Sequence, residues 1–421
     1  MRSTLCRTVA ACLATLTVAC FASQSKALQP AALIENLTPE QAARYEIFDN
    51  FRINGVCGTS NLELAKQFGI NTIRGYTINL REDGTIKTLD EAHALGMKVI
   101  VSEWMPHHGE NTGRDGAKWN FDYTANIDER LAKFTEKVDA IGDHPAILMW
   151  GLGNEVHLDR EYLEYVNLMS LAIHERFPLA ITSLTMINAK PDNIRKIAEY
   201  APDLDVIGVQ SYSLGAVRGG IRNMEEHWGK PYYYSEFNGK GPWNFQKTTW
   251  GSAYEDLPAQ RSSDIKACLE AFDDAPRCLG STAFVWGHFG VQRPSYFSLL
   301  LSHHPGGFDA AERAGISTEP LITSLTGIHG ESELTVAPGE QFSVRATATD
   351  ADDDNVRLVY WIIGKPGGRY IAVSGPIDAN DDGVAQLIAA NSPRDDCLVM
   401  VYALDDNGGA SATTIPVRFA D

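Results

Sequence analysis

Positive charge is scarce in this 421-residue chain: 36 Lys and Arg stand against 54 Asp and Glu, a net charge of -18. Nucleic-acid phosphates are held by clustered Lys and Arg. A nucleic-acid partner is therefore excluded, and a neutral ligand suits the chain better. Long apolar runs are lacking too. The stretch from Val9 to Ala22 is too short for a spanning helix, which needs about 20 apolar residues. Cysteine is sparse and never in C-x-x-C spacing, which argues against a structural zinc site. The glycine-rich stretch 215–220 lacks phosphate-loop spacing and reads as loop. What remains is ordinary for a globular protein: 44% hydrophobic and 21% charged residues. The length allows one barrel-sized domain and a small second one.

Residues 1–27 read as a secretory signal peptide. Arg2 and Arg7 precede the apolar run, and Ser25-Lys26-Ala27 offers a cleavage site. This predicts a secreted or periplasmic protein. Val18-Ala19-Cys20 offers a second reading, a lipoprotein box with anchoring at Cys20 and cell-envelope association, although Thr17 stands where such a box has Leu. Cleavage would remove Arg2, Arg7 and Lys26 but no acid, and would leave Cys57, Cys268, Cys278 and Cys397. Export permits disulfides. Cys268 and Cys278 enclose a short Asp- and Pro-containing turn and are the expected pair.

Hydrophobic patterning divides the rest at about residue 325. In 28–325, strand-like runs at 52–57, 71–75, 97–102, 146–152, 181–185, 205–210, 231–235 and 281–286 alternate with helical stretches at 60–68, 88–96, 126–141, 161–176, 191–199, 218–228 and 260–272. Runs such as Ala146-Ile147-Leu148-Met149-Trp150 suit parallel strands buried on both faces. Eight such repeats predict an α/β fold, a (β/α)8 TIM barrel. Helical periodicity vanishes in 326–421, which carries 15 acidic and 6 basic residues. Alternating runs at 341–349, 356–363, 384–390, 398–404 and 412–419 predict a small all-β, immunoglobulin-like sandwich.

Barrel chemistry sits at the C-terminal strand ends. There the sequence places Arg74 and Tyr76 on strand two, Glu103 and Trp104 on three, Asn154 and Glu155 on four, Gln210 and Tyr212 on six, Glu236 on seven and Trp286 on eight. Two carboxylates thus close strands four and seven, each after an apolar run, where burial raises a carboxyl pKa. A retaining glycosidase needs such a pair, one as acid and then base, the other as nucleophile. An Arg beside the nucleophile favours its charged form, an Asn can hold a sugar hydroxyl, and a Trp offers a flat face to a pyranose. This chemistry requires no cofactor.

The segment Trp150-Gly151-Leu152-Gly153-Asn154-Glu155 resembles the strand-four signature of clan A glycoside hydrolases. Tyr233-Tyr234-Ser235-Glu236-Phe237 is similar to their strand-seven nucleophile segment, with wording most similar to the glycoside hydrolase family 2 barrel. The resemblance covers about 51–300. It implies Glu155 as acid/base, Glu236 as nucleophile, and Arg74, Asn154, Tyr212 and Trp286 as supporting residues on a carbohydrate substrate. Two departures stand out. Only residues 28–50 precede the barrel, where family 2 carries β-sandwiches, and Gln210 stands where several clan A families have His. The acidic turns at 349–354 and 403–409 resemble those of cadherin-like and polycystic-kidney-disease-type modules, implying a spacer or accessory role.

Several residues carry two readings. Glu103 binds a sugar hydroxyl or forms a salt bridge. Trp104, Trp243 and the aromatic loop around it stack on sugars or pack locally. His107-His108 diverge too much for a metal site without a third ligand, leaving sugar hydrogen bonding or a plain surface role. His288 lines the pocket or lies outside it. Asp350, Asp352 and Asp354 bind calcium or are solvated turn acids. The favoured activity is cleavage of a β-linked glycan of β-glucan type. Transglycosylation by the same residues, or an inactive carbohydrate-binding or adhesion protein, are the alternatives.

Overall fold

The computed structural model describes residues 30–35, 37–82, 84, 86–113, 116–287, 295, 297–299, 320–350, 355–365, 371–389, 397–406 and 409–419. Eight parallel strands form a closed barrel: β1 (Ile53–Cys57), β2 (Thr72–Arg74), β3 (Lys98–Glu103), β4 (Ile147–Asn154), β5 (Thr182–Ile187), β6 (Val206–Ser211), β7 (Tyr232–Phe237) and β8 (Cys278–Ala283). Each of the first seven is followed by a helix: α1 (Leu62–Gln67), α2 (Lys87–Ala94), α3 (Ile127–Ile141), α4 (Arg160–Arg176), α5 (Pro191–Tyr200), α6 (Leu214–His227) and α7 (Pro258–Asp274). The expected TIM barrel is therefore present. β1 pairs with β8 and closes it.

Strand ends follow local chemistry. β8 begins at Cys278, earlier than the expected 281. Gly280 permits this with φ +116°, since a Cβ there would lie 2.1 Å from the Ile53 carbonyl oxygen. The stretch 215–220 is not a loop but the start of α6, capped by the Ser213 hydroxyl. Gly220 serves packing: the Tyr234 hydroxyl, which donates to the Val217 carbonyl, lies 2.6 Å from where its Cβ would stand. The expected Cys268–Cys278 disulfide is also absent, and all four described cysteines are free and buried. α7 runs to Asp274, so helix rather than turn fills most of the interval. Burial pushes the Cys268 thiol up to about 12 and the Cys278 thiol up to about 11, so both behave as small apolar side chains.

The segment before the barrel, unassigned in the sequence, closes its floor. Tyr45 and Phe48 join Ile100, Leu148, Met149, Ile181, Val206 and Tyr233 in one buried cluster. Arg44 pairs with Asp205 at 3.0 Å, and the same carboxylate accepts from the Thr182 N–H and sits 2.9 Å from His174 Nε2. The floor is thus fixed, while the opposite mouth is left to the loops. One of these loops carries an unforeseen hairpin, Gly109–Thr112 with Lys118–Phe121.

The C-terminal strands are β9 (Leu321–Gly327), β10 (Leu334–Val336), β11 (Gln341–Thr349), β12 (Arg357–Gly364), β13 (Ile371–Asp378), β14 (Val384–Ile388), β15 (Cys397–Leu404) and β16 (Ala410–Phe419). They form sheets of order β9-β11-β14 and β10-β16-β15-β12-β13. Ile322, Val344 and Leu387 from the first meet Tyr360, Val399 and Val417 from the second in one core. β9 crosses residue 325, so this unit begins by residue 321. The calcium reading at Asp352 and Asp354 lies outside the described residues, as do residues 1–27, with Cys20, and His288.

Candidate active site

The apolar runs of β2, β4, β6 and β7 bury their inward side chains until the last turn of each strand, where polar groups appear. Arg74 ends β2 and is fully buried. Its Nη1 donates to Glu236 Oε1 at 2.8 Å, and its Nη2 to Asn154 Oδ1 at 2.5 Å. One guanidinium therefore spans the ends of β4 and β7, which its planar fork allows and a lysine would not. Glu236 also accepts from Tyr76 Oη at 2.7 Å, Gln210 Nε2 at 2.8 Å and, on its other oxygen, Tyr212 Oη at 2.5 Å. Burial raises the pKa of both phenols, and Tyr212 is raised further by the neighbouring Glu236. Both stay hydrogen-bond donors through neutral pH.

Glu155 is treated differently. It sits at φ +54° just past β4, a left-handed conformation that costs a non-glycine residue of order 1–3 kcal/mol. Gly153, two residues earlier at φ +92°, makes the bend possible. A Cβ there would lie 2.3 Å from the Tyr162 hydroxyl, which donates to the Leu152 carbonyl. Burial, and then repulsion from Glu236, push the Glu155 carboxyl up to about 7, against the lowering influence of Arg74. Two carboxyls sharing one electrostatic environment are thus set apart: one wrapped by donors, the other able to hold a proton near neutrality. That pairing suits a nucleophile and a general acid. A groove of about 640 Å³ opens beside Glu155, lined by His157, Asn188, Lys190 and Lys196, within the size range of small-molecule sites.

Of the expected catalytic and sugar-binding residues, Arg74, Asn154, Tyr212 and Glu236 meet in one hydrogen-bonded cluster, with Glu155 coupled to it electrostatically. Trp243 lies at the mouth, 60% exposed, its ring edge-on to Tyr212 at 5.2 Å. Trp104 is 52% exposed at the end of β3. Glu103 is engaged by Lys137 Nζ at 2.6 Å, so the salt-bridge reading is the one the structure shows. Trp286 is 1% exposed and its indole N–H donates to the Ser60 carbonyl at 2.6 Å. It packs the barrel top and presents no open face, which corrects its expected role as a sugar platform. The His107 ring lies tilted against that of His157 at 4.2 Å and accepts that residue's backbone N–H.

Sequence reasoning placed Tyr76 and Gln210 at strand ends but gave neither a role in the site. Each stands two residues from a chosen residue, Arg74 or Tyr212, and strand alternation puts such pairs on one face. Thr185 was missed as well; its hydroxyl donates to the Gly153 carbonyl at 3.2 Å and steadies the bend before Glu155.

No family model matches this chain, and no curated protein matches it. Among solved structures, it is similar to a β-glucuronidase of Bacteroides uniformis, with 13% identity and a TM-score of 0.47 over 88% of this chain and 46% of that one. It is also similar to an endo-β-1,4-mannanase of Thermotoga petrophila, with 14% identity and a TM-score of 0.41 over 88% and 98% of the two chains. A GH53 catalytic domain of Ignisphaera aggregans gives 16% identity and a TM-score of 0.42 over 60% and 84%. The chain thus spans about half the length of the glucuronidase. Likeness at this level carries no activity across, and the functional reading stands on the site itself.

Proposed function

We propose that the protein is a retaining β-glycosidase, exported by its N-terminal segment, acting on a β-linked glycan of β-glucan type. The observation that carries this reading is the unequal treatment of two carboxyls at one barrel mouth. Glu236 is gripped by Arg74, Tyr76, Gln210 and Tyr212, while Glu155 is raised to about 7.

In the first step Glu236 attacks the anomeric carbon as Glu155 gives its proton to the departing oxygen, leaving a glycosyl-enzyme ester. In the second, Glu155, now a carboxylate, takes a proton from water, which attacks the same carbon and releases Glu236. Arg74 and the two tyrosines hold the nucleophile's oxygens, so little reorganisation is needed during attack. Asn154 Oδ1 already accepts from Arg74 and Gln210, which leaves its side-chain N–H groups to meet a sugar hydroxyl. The groove beside Glu155 supports a second reading: a sugar bound there could replace water and make the enzyme a transglycosidase. The C-terminal unit fits an immunoglobulin-like accessory module in this scheme.

The test is to incubate the protein and its Glu236→Ala variant with β-glucans, β-mannan, β-galactan and xylan, and to size the products by mass spectrometry. Cleavage by the parent alone is expected. Products longer than the input would assign transglycosylation. Equal cleavage by the variant would overturn the assignment of Glu236.

A further inference from the structure

The barrel and the C-terminal sheets meet along α7, which packs on β9 and β16, and along the loop 238–257 that leads from β7 into α7. The far end of this loop is tied to the C-terminal unit. Tyr254 Oη donates to Glu333, and Leu257 packs on the core between the two sheets. Glu255 Oε2 accepts from two hydroxyls at once, Ser295 Oγ at 2.6 Å and Thr414 Oγ1 of β16 at 2.8 Å. The Ser295 carbonyl in turn accepts from the half-buried Arg261 at 2.9 Å.

The near end of the same loop touches the catalytic cluster. The Gly241 N–H donates to the Tyr212 carbonyl at 3.2 Å, and Trp243 stands edge-on to the Tyr212 ring. Phe297, two residues beyond Ser295, packs on Tyr212 at 5.1 Å and on Trp243 at 6.1 Å. Tyr212 carries the hydroxyl that meets Glu236 Oε2 at 2.5 Å.

We propose that Glu255 is a positioning residue that makes the C-terminal unit part of the active site's support rather than a spacer. One carboxylate oxygen joins Thr414 of that unit to Ser295, and so holds Phe297 and Trp243 against Tyr212. Aromatic contacts contribute only about 0.5–1.5 kcal/mol each beyond their buried area, and a loop this long needs an anchor to hold a fixed shape. Hydroxyl-to-carboxylate bonds are charge-assisted and supply that anchor. The consequence for catalysis rests on the reading of Glu236 as nucleophile; the coupling between the two units does not.

The test uses full-length Thr414→Val, Glu255→Ala and Glu255→Gln proteins. Thr414→Val removes one hydroxyl on the C-terminal unit, outside the hydrogen-bonded cluster around Glu236. Thr414→Val and Glu255→Ala are expected to lower kcat about tenfold, since sub-ångström misplacement of a catalytic group is costly, with KM for a short substrate nearly unchanged. Glu255→Gln keeps an accepting oxygen without the charge and is expected to recover part of the loss. A merely structural contact would lower Tm and leave kcat of the folded protein unaltered. Hydrogen exchange provides a readout independent of turnover: amides of 241–257 and 297–299 should exchange faster in Thr414→Val, while those of β3 to β5 do not. Wild-type kcat together with wild-type protection in Thr414→Val would overturn the proposal. If the parent cleaves no glycan, the glycosidase reading fails and the exchange result alone decides the coupling.

Discussion

Glu155 offers the sharpest test because its predicted behaviour reverses with pH. Its carboxyl is raised from 4.5 to about 7, first by burial and then by Glu236. A carboxyl raised on folding contributes its stability in full below its unfolded pKa, and that contribution is lost as pH rises through the folded value. At about 1.36 kcal/mol per pKa unit the loss approaches ~3 kcal/mol. Water reaches this half-buried group, so about 2 kcal/mol is the working figure. Glu155→Gln cannot ionise. The variant should match the parent near pH 4 and be more stable by about 2 kcal/mol at pH 9, measured by urea unfolding across that range. The same proton governs turnover. kcat of the parent on substrates with poor leaving groups should fall on an alkaline limb centred near pH 7. Glu155→Gln should lose that limb while still turning over an aryl glycoside whose leaving group needs no proton. A pH-independent stability difference, or an alkaline limb that persists in the variant on the activated substrate, would refute the assignment.

Three further outcomes are expected. Arg74→Lys keeps a buried charge but cannot bridge Glu236 and Asn154 together, so kcat should fall by about 100-fold with the fold retained by circular dichroism; near-normal turnover would contradict the bridging role. Tyr212→Phe removes the 2.5 Å bond to Glu236 and leaves the aromatic packing, and should lower kcat/KM by roughly 10- to 100-fold, a loss of about 1.4–3 kcal/mol in transition-state stabilisation, with Tm shifted little. Cys57, Cys268, Cys278 and Cys397 are free and buried. They should resist alkylation in the native protein and all react after unfolding without reductant, whereas a Cys268–Cys278 bond would leave two unreacted.

What was legible in the sequence was set by local periodicity and by position along a repeating architecture. Continuous apolar runs such as 146–150 bury both faces of a strand, so β2, β3, β4, β6 and β7 could be located, and the polar residues at each strand's end then marked the mouth. That logic reaches Arg74, Asn154, Glu155, Tyr212 and Glu236 from the sequence alone. Alternation also distinguished the β-rich end of the chain.

The tertiary structure decided what depends on neighbours remote in sequence. Glu103 was ambiguous until Lys137 on α3 was seen to meet it. Trp286 looked like a platform until its ring proved buried, with the indole N–H on the Ser60 carbonyl. Gly220 looked like a loop residue until the Tyr234 hydroxyl required the space its side chain would fill. The cysteine pair looked bridged until α7 was seen to fill the interval. The pKa of Glu155 follows the same rule. A carboxyl near 4.5 is a property of glutamate, whereas about 7 is a property of burial beside Glu236 at a bend made by Gly153. Sequence set which groups line the mouth, because strand order and alternation are local. Only the closed barrel set their separations, their exposure and the raised pKa of Glu155, because those are sums over contacts that the chain makes with itself at long range.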